Sequence, residues 1–333
     1  MGSKVQAFEQ ELARFCSRKY AVTVSSCTEA LYFSLLAAGV KPGDEVIVPS
    51  FSFIATVTPV LQAGAVPVFT DIRSDTLSMD ADDLIKKITP KTKAIIFVHL
   101  FGATCPVQDI FKTACERNIF LIEDNAHSLG STNDAGIKAG TQSHISCVSF
   151  DPTKIIGGFG TAGAALTDDE SLFELLKKLG NQGKNRKTGQ HDILGFNSRI
   201  SDFQAAFLSY QLTLMGTFIK KRIQVAEAYN ATIDTLSDIQ YIQKERSVFH
   251  KYVILTNKRD DLRTYLSDKG IQTLIHYNTL LYEHPLFHGY KYRASHINFA
   301  PQITDKVLSL PIYPEMNDTE IRYVTENLLK FFN

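Results

Sequence analysis

Short apolar runs alternate with helix-patterned stretches along the first two-thirds of this 333-residue chain, and that alternation limits the folds open to it. Seven runs qualify as strands: Tyr20 to Val24, Glu45 to Val48, Val66 to Asp71, Ala94 to Leu100, Ile119 to Asp124, Cys147 to Phe150 and Gly163 to Thr167. Most are rich in β-branched residues on both faces, as expected of a largely parallel sheet buried between helices. Between them, Glu29 to Ala38 reads as a helix apolar on nearly every face. Ser171 with Glu174 resembles a capping box closed by Gly180, and Ser201 with Gln204 resembles another. Pro42-Gly43-Asp44 marks a turn. The pattern predicts an α/β layer architecture. From about Gln224 the strands thin out to Tyr252 to Leu255 and Gln272 to Ile275, with helices starting at Arg259 and Asp318. The boundary is expected inside a long helix that starts at Ser201, giving a large domain over 1–223 and a smaller α/β domain over 224–333.

Composition narrows the function classes. Lys+Arg 35 against Asp+Glu 35 leaves a formal net charge of +0, so bulk charge makes no case for nucleic-acid binding. The cluster of Lys177, Lys178, Lys184, Arg186 and Lys187 reads as a solvated helix end and loop. Cys16, Cys27, Cys105, Cys115 and Cys147 show neither CxxC pairs nor framework spacing, which suits reduced thiols in a cytoplasmic protein without a metal site. No signal peptide precedes Phe8, and no apolar run approaches the roughly 20 residues that span a bilayer, so no membrane partner is expected.

Two strand exits carry the chemistry. The run Ser146-Cys147-Val148-Ser149-Phe150 leads through a turn to Lys154, and Ile119 to Ile122 leads to Glu123-Asp124. Alone, a lysine is usually a solvated group and a strand-end acid is often a helix cap. Together they suit a pyridinium aldehyde cofactor, because the amine can form an imine and the carboxylate can keep the ring nitrogen protonated. Ser25-Ser26-Cys27-Thr28 opens the apolar helix, whose free N–H groups and positive end suit a phosphate. Ser149, five residues before Lys154, could reach the same phosphate, and Phe53 could stack on a ring. Each has an ordinary alternative: a cap, a small buried polar residue, a core aromatic. All fall at the carboxyl ends of strands, where open α/β sheets bind ligands.

With these segments in hand, the chain resembles the DegT/DnrJ/EryC1/StrS family of sugar aminotransferases over almost its whole length. The matching stretches include Ser26-Cys27-Thr28-Glu29-Ala30-Leu31, 42–50, Gly64-Ala65-Val66-Pro67-Val68-Phe69, Val98-His99-Leu100-Phe101-Gly102, Glu123-Asp124-Asn125-Ala126-His127, Asn197-Ser198-Arg199, His276-Tyr277 and Ser309-Leu310-Pro311. The resemblance implies the aspartate-aminotransferase-like fold (fold type I) with a mostly parallel seven-stranded sheet, and pyridoxal 5′-phosphate as cofactor. It implies that Lys154 holds the cofactor and later moves the proton, and that Asp124 pairs with the pyridine nitrogen. It also implies that His127 sits near the ring hydroxyl or phosphate, and that Ala126 lies beneath the ring. Cys27, Thr28 and Ser149 would hold the phosphate. Asn197 would reach the partner's phosphate in a homodimer with shared sites, and Arg199, His276 and Tyr277 would contact substrate.

The sequence departs from the family pattern in two places. Members usually carry several dozen more residues before the segment matching 2–9, so this start is either short by nature or trimmed. The familiar Gly-Glu-Gly-Gly after the lysine is replaced by Gly157-Gly158-Phe159-Gly160-Thr161-Ala162-Gly163-Ala164. That loop, with Asn197-Ser198-Arg199, resembles the branch that aminates the third ring carbon. The resulting expectation is amino transfer from an amino acid, glutamate by family, to a 3-keto nucleotide sugar linked to dTDP or UDP, in surface-polysaccharide or amino-sugar biosynthesis. A 4-keto sugar is the alternative. A sugar dehydratase would carry histidine in place of Lys154, and a cofactor-binding regulator lacks support from any helix-turn-helix module.

Overall fold

A computed structural model describes residues 2–185, 187–242 and 246–333, so Arg186 of the basic cluster lies outside the described residues. Helix α1 (Ser3–Phe15) leads into β1 (Tyr20–Val24) and α2 (Cys27–Ala37), followed by β2 (Glu45–Pro49), α3 (Thr58–Gln62) and β3 (Val66–Thr70). Then come α4 (Ala81–Lys87), β4 (Thr92–Val98), α5 (Gln108–Glu116), β5 (Phe120–Asp124), β6 (Ile145–Ser149), β7 (Gly163–Thr167) and α6 (Glu170–Leu179). The seven strands form one sheet in the order β1-β7-β6-β5-β4-β2-β3. Only β7 runs antiparallel to its neighbours, so the sheet is mostly parallel, as the two-faced apolar runs predict.

Helix α7 (Asp202–Ile233) spans 32 residues and serves two cores. Its first half buries Leu208 and Met215 with Phe8 and Leu12 of α1 and Val148 and Phe150 beside the sheet. Its second half buries Val225, Tyr229 and Ile233 with residues of a three-stranded antiparallel sheet. That sheet has the order β10-β9-β8, with β8 (Gln240–Tyr241), β9 (Tyr252–Leu255) and β10 (Val307–Leu310), and is flanked by α8 (Arg259–Asp268) and α9 (Asp318–Phe332). The Tyr229 hydroxyl, deep in this core, donates to the Pro311 carbonyl at 2.9 Å, which removes the cost of an unpaired buried O–H.

Three expectations need correction. Gln272 to Ile275 forms no strand; it makes a single bridge, Leu274 to Ser309, and Gln272 and Leu274 border a groove. Ser171 does not cap α6: the Asp169 carboxylate, two residues earlier, accepts from the Ser171 and Leu172 N–H groups. At α7 the Ser201 hydroxyl accepts from the Gln204 N–H, but the Gln204 amide turns away to the Thr161 carbonyl, so only half of that capping box forms. All five cysteines are free. Among the described residues no helix is long and apolar enough to cross a membrane.

Candidate active site

The carboxyl ends of β1, β2, β5 and β6 converge on one cavity of about 440 Å3. Its wall includes Cys27, Thr28, Phe53, Asp124, Ala126, His127, Ser149, Lys154, His276 and Tyr277. These are ten of the twelve residues singled out from sequence, gathered from segments 250 positions apart. Asn197 and Arg199 do not line it: both are exposed, and the Arg199 guanidinium donates to Asn197 Oδ1 at 3.2 Å.

Asp124 ends β5 and is buried. Thr56 Oγ1 donates to its Oδ2 at 2.9 Å, and the Ala126 N–H donates to its Oδ1 at 3.2 Å. Burial pushes its carboxyl up from the usual carboxylate range, against the Thr56 and Ala126 hydrogen bonds and the Lys154 charge. The neighbouring Glu123 points to the other side of the sheet. There it accepts from the Gly140 N–H and the Ser143 hydroxyl and meets His99 Nε2 at 2.5 Å. The Cys105 N–H donates to His99 Nδ1, so the His99 proton sits on Nε2, aimed at Glu123. Burial opposes ionisation of Glu123, yet His99 and the two other donors hold it below its ordinary range. Alternation along β5 therefore gives one acid to the core and the other to the cavity.

Lys154 sits on the irregular turn after β6. Burial lowers its pKa, opposed by Cys27, Asp124 and Asp151. An ammonium removed from water loses hydration that this cavity does not replace, so the neutral amine gains population. Two features fix the turn. The Asp151 carboxylate accepts from the Thr153 N–H at 3.0 Å and hydroxyl at 2.7 Å. His250 Nε2 lies 3.2 Å from the Thr153 carbonyl, as a donor.

The phosphate-binding candidates face the same space. Ser26 caps α2 by accepting from the Glu29 N–H. That leaves Cys27 and Thr28 at the positive end of the helix, with N–H groups lacking partners inside it. Gly163 opens β7 directly against this turn: a Cβ there would stand 2.4 Å from the Cys27 nitrogen. The Ser149 hydroxyl accepts from the Asp151 N–H at 3.3 Å and remains free to donate.

His127 is buried and stacked on His250 with ring centres 4.4 Å apart. The Phe101 N–H donates to its Nδ1 at 3.3 Å, which leaves the proton on Nε2. Burial holds both histidines well below their ordinary pKa, so neither charges near neutrality. Tyr277 packs at ring-centre distances of 5.9 Å from Phe51 and 6.1 Å from Phe53, while His276 Nδ1 meets Ser309 Oγ at 2.8 Å.

Sequence reasoning missed His250 and Lys251, which line the cavity just before β9. Buried Arg222 of α7 fixes their backbone, donating through Nη1 to the carbonyls of Phe249 at 3.1 Å and Ile312 at 3.0 Å. The only signal for them was a His-Lys pair leading an apolar run.

The sequence model of the DegT/DnrJ/EryC1/StrS aminotransferase family matches residues 1–329. A UDP-N-acetyl-3-dehydro-alpha-D-glucosamine 3-aminotransferase of Acidithiobacillus ferrooxidans is 35% identical over 96% of this chain and 86% of its own. A GDP-perosamine synthase of Escherichia coli O157:H7 is 34% identical over 100% of this chain and 91% of its own. Among solved structures, NtdA from Bacillus subtilis with bound cofactor PMP superposes with a TM-score of 0.91 at 31% identity, over 100% of this chain and 78% of that one.

Proposed function

This chain belongs to the DegT/DnrJ/EryC1/StrS aminotransferase family, and we propose that it transfers an amino group from an amino acid, glutamate by expectation, to a keto nucleotide sugar. It is an aminotransferase of the aspartate-aminotransferase-like fold, and its cofactor is pyridoxal 5′-phosphate. That group supplies, when bound, an aldehyde that exchanges amines and a pyridinium that takes up the electron pair left by C–H ionisation. The donor set fits it. A buried carboxylate with an unfilled lone pair, an amine and a helix N-terminus lie around one cavity, matching a ring N–H, an aldehyde and a phosphate.

In this reading Asp124 would pair as the anion with the ring N–H, whose positive charge would offset the burial that raises its pKa. Lys154, its amine made more neutral by burial, would hold the aldehyde and would be the base that moves the substrate's proton. Thr28, the Cys27 and Thr28 N–H groups and Ser149 hold the phosphate. The Nε2 proton of His127 would be available to the ring hydroxyl or phosphate. Ala126 would lie beneath the cofactor ring, and the Phe53 ring would stack on it. His276 and Tyr277 contact the substrate. Asn197 and Arg199, absent from their own chain's cavity, serve the partner's site in a homodimer.

The observation that carries this reading is the placement of Lys154 and Asp124 at the exits of β6 and β5 on one cavity. Glutamate added to the pyridoxal-phosphate form should shift its absorbance within one turnover. An unchanged spectrum with glutamate and with other amino acids would sink the transferase reading.

We further infer that the acceptor is a 3-keto sugar of a dTDP- or UDP-linked substrate. Support comes from the 157–164 loop, whose Thr161 and Ala162 form part of the cavity wall while the Phe159 ring packs, tilted, 4.4 Å from that of Phe207 of α7. Such a loop would set how deeply the sugar ring enters. Paired 3-keto and 4-keto substrates under one nucleotide test it, and faster turnover of the 4-keto sugar would assign the chain to the alternative.

A further inference from the structure

A second cavity of about 560 Å3 opens outward beside the first, between β10 and α9. The two share Lys251, Leu274 and His276, so these side chains form the neck between the inner cavity and an outer groove. Lys251 is half-buried there, and none of the ion pairs among the described residues includes it, Lys154 or Arg222. Burial, then the charges of Lys154 and Arg222, lower its pKa to about 8; the Asp151 carboxylate opposes them. Asp151 already accepts two bonds from Thr153, and the Arg222 guanidinium donates to backbone carbonyls. The neck therefore holds a cation in positive potential, with no protein anion seated on it. Such a site favours an anionic ligand, and its partial burial strengthens the attraction.

We propose that Lys251 receives the diphosphate of the nucleotide sugar, with the sugar in the inner cavity and the nucleoside in the outer groove. This rests on the sugar-aminotransferase reading. The position in the neck favours a diphosphate over the carboxylates of an amino-acid donor. A diphosphate is the middle group of its molecule, flanked by two bulky parts, and the neck lies between two spaces. Tyr313 and Met316 of the groove wall offer a nucleobase aromatic and thioether surface.

The test uses UDP and dTDP as probes on the pyridoxamine form of the full-length protein, with uridine and thymidine as controls lacking phosphate. Lys251→Gln is expected to weaken binding of the better diphosphate by at least about tenfold and to leave the nucleoside control unchanged. Lys251→Arg, which keeps a cation, is expected to restore affinity to within about threefold. Unchanged affinity for the diphosphate in Lys251→Gln would overturn the assignment. So would a defect confined to the glutamate half-reaction, which would give Lys251 to the donor carboxylate. Failure of the unmodified protein to bind either diphosphate would instead strike the dTDP- or UDP-linked substrate reading, and Lys251 with it.

Discussion

At the scale of single residues, the surroundings of Lys154 and Asp124 set their protonation. Burial lowers the Lys154 pKa, so cofactor uptake by the apo-protein should rise with pH and level off below the ordinary lysine range of about 10.4. A midpoint at or above that value would mean that the amine is solvated. Lys154→Ala should lose roughly 10²–10⁴-fold in turnover from the missing base alone while keeping its unfolding midpoint. Borohydride reduction and peptide mapping should label Lys154 and no other lysine. Asp124→Asn should cost roughly a hundredfold or more in both half-reactions, because a neutral amide cannot stabilise a ring cation. We propose that His250, whose Nε2 reaches the Thr153 carbonyl, positions the turn that carries Lys154. His250→Ala should shift the pH dependence of the bound cofactor's absorbance, and His250→Gln, which keeps an N–H donor, should bring it back. Equal titrations in both variants would leave His250 a packing group only.

At the scale of elements, the sheet was legible because each strand is buried on both faces, and the two strand exits that line the cavity were legible because an acid and a lysine are conspicuous after apolar runs. Errors arose where local signals compete. Asp169 outcompetes Ser171 as a cap because its carboxylate reaches two N–H groups. The 272–275 segment alternates like a strand but edges a groove instead of joining a sheet. His250 and Lys251 were missed because only the tertiary fold brings the segment leading into β9 against a turn 97 positions away. The contact between β7 and α2 carries its own prediction. Gly163→Ala would drive a methyl into the first turn of α2. Overpacking of this kind costs about 1–3 kcal/mol. The variant should bind pyridoxal phosphate more weakly, by equilibrium dialysis, than a control such as Gly216→Ala, whose Cβ meets nothing within 4 Å. Equal affinities would remove the α2 terminus from the phosphate site.

At the scale of the molecule, we propose two domains divided near residue 223 within α7, and a homodimer with shared sites. Exposed Phe159 and Phe203, stacked 5.5 Å apart, and exposed Leu194 near Asn197 suit burial against a second copy. Mixing Lys154→Ala subunits with inactive Asn197→Asp subunits should regenerate one competent site per heterodimer. No rescue, or a monomer in sedimentation, would contradict sharing. We propose that nitrogen passes from an amino acid to a sugar through the Lys154 site. The most direct test supplies nitrogen-labelled glutamate to the holoenzyme, then a keto nucleotide sugar, and follows the sugar product by mass spectrometry. The label is expected on the sugar ring with the unmodified protein and not with Lys154→Ala. A sugar that loses oxygen without gaining the label, or is returned unchanged across all the keto nucleotide sugars tried, would contradict it.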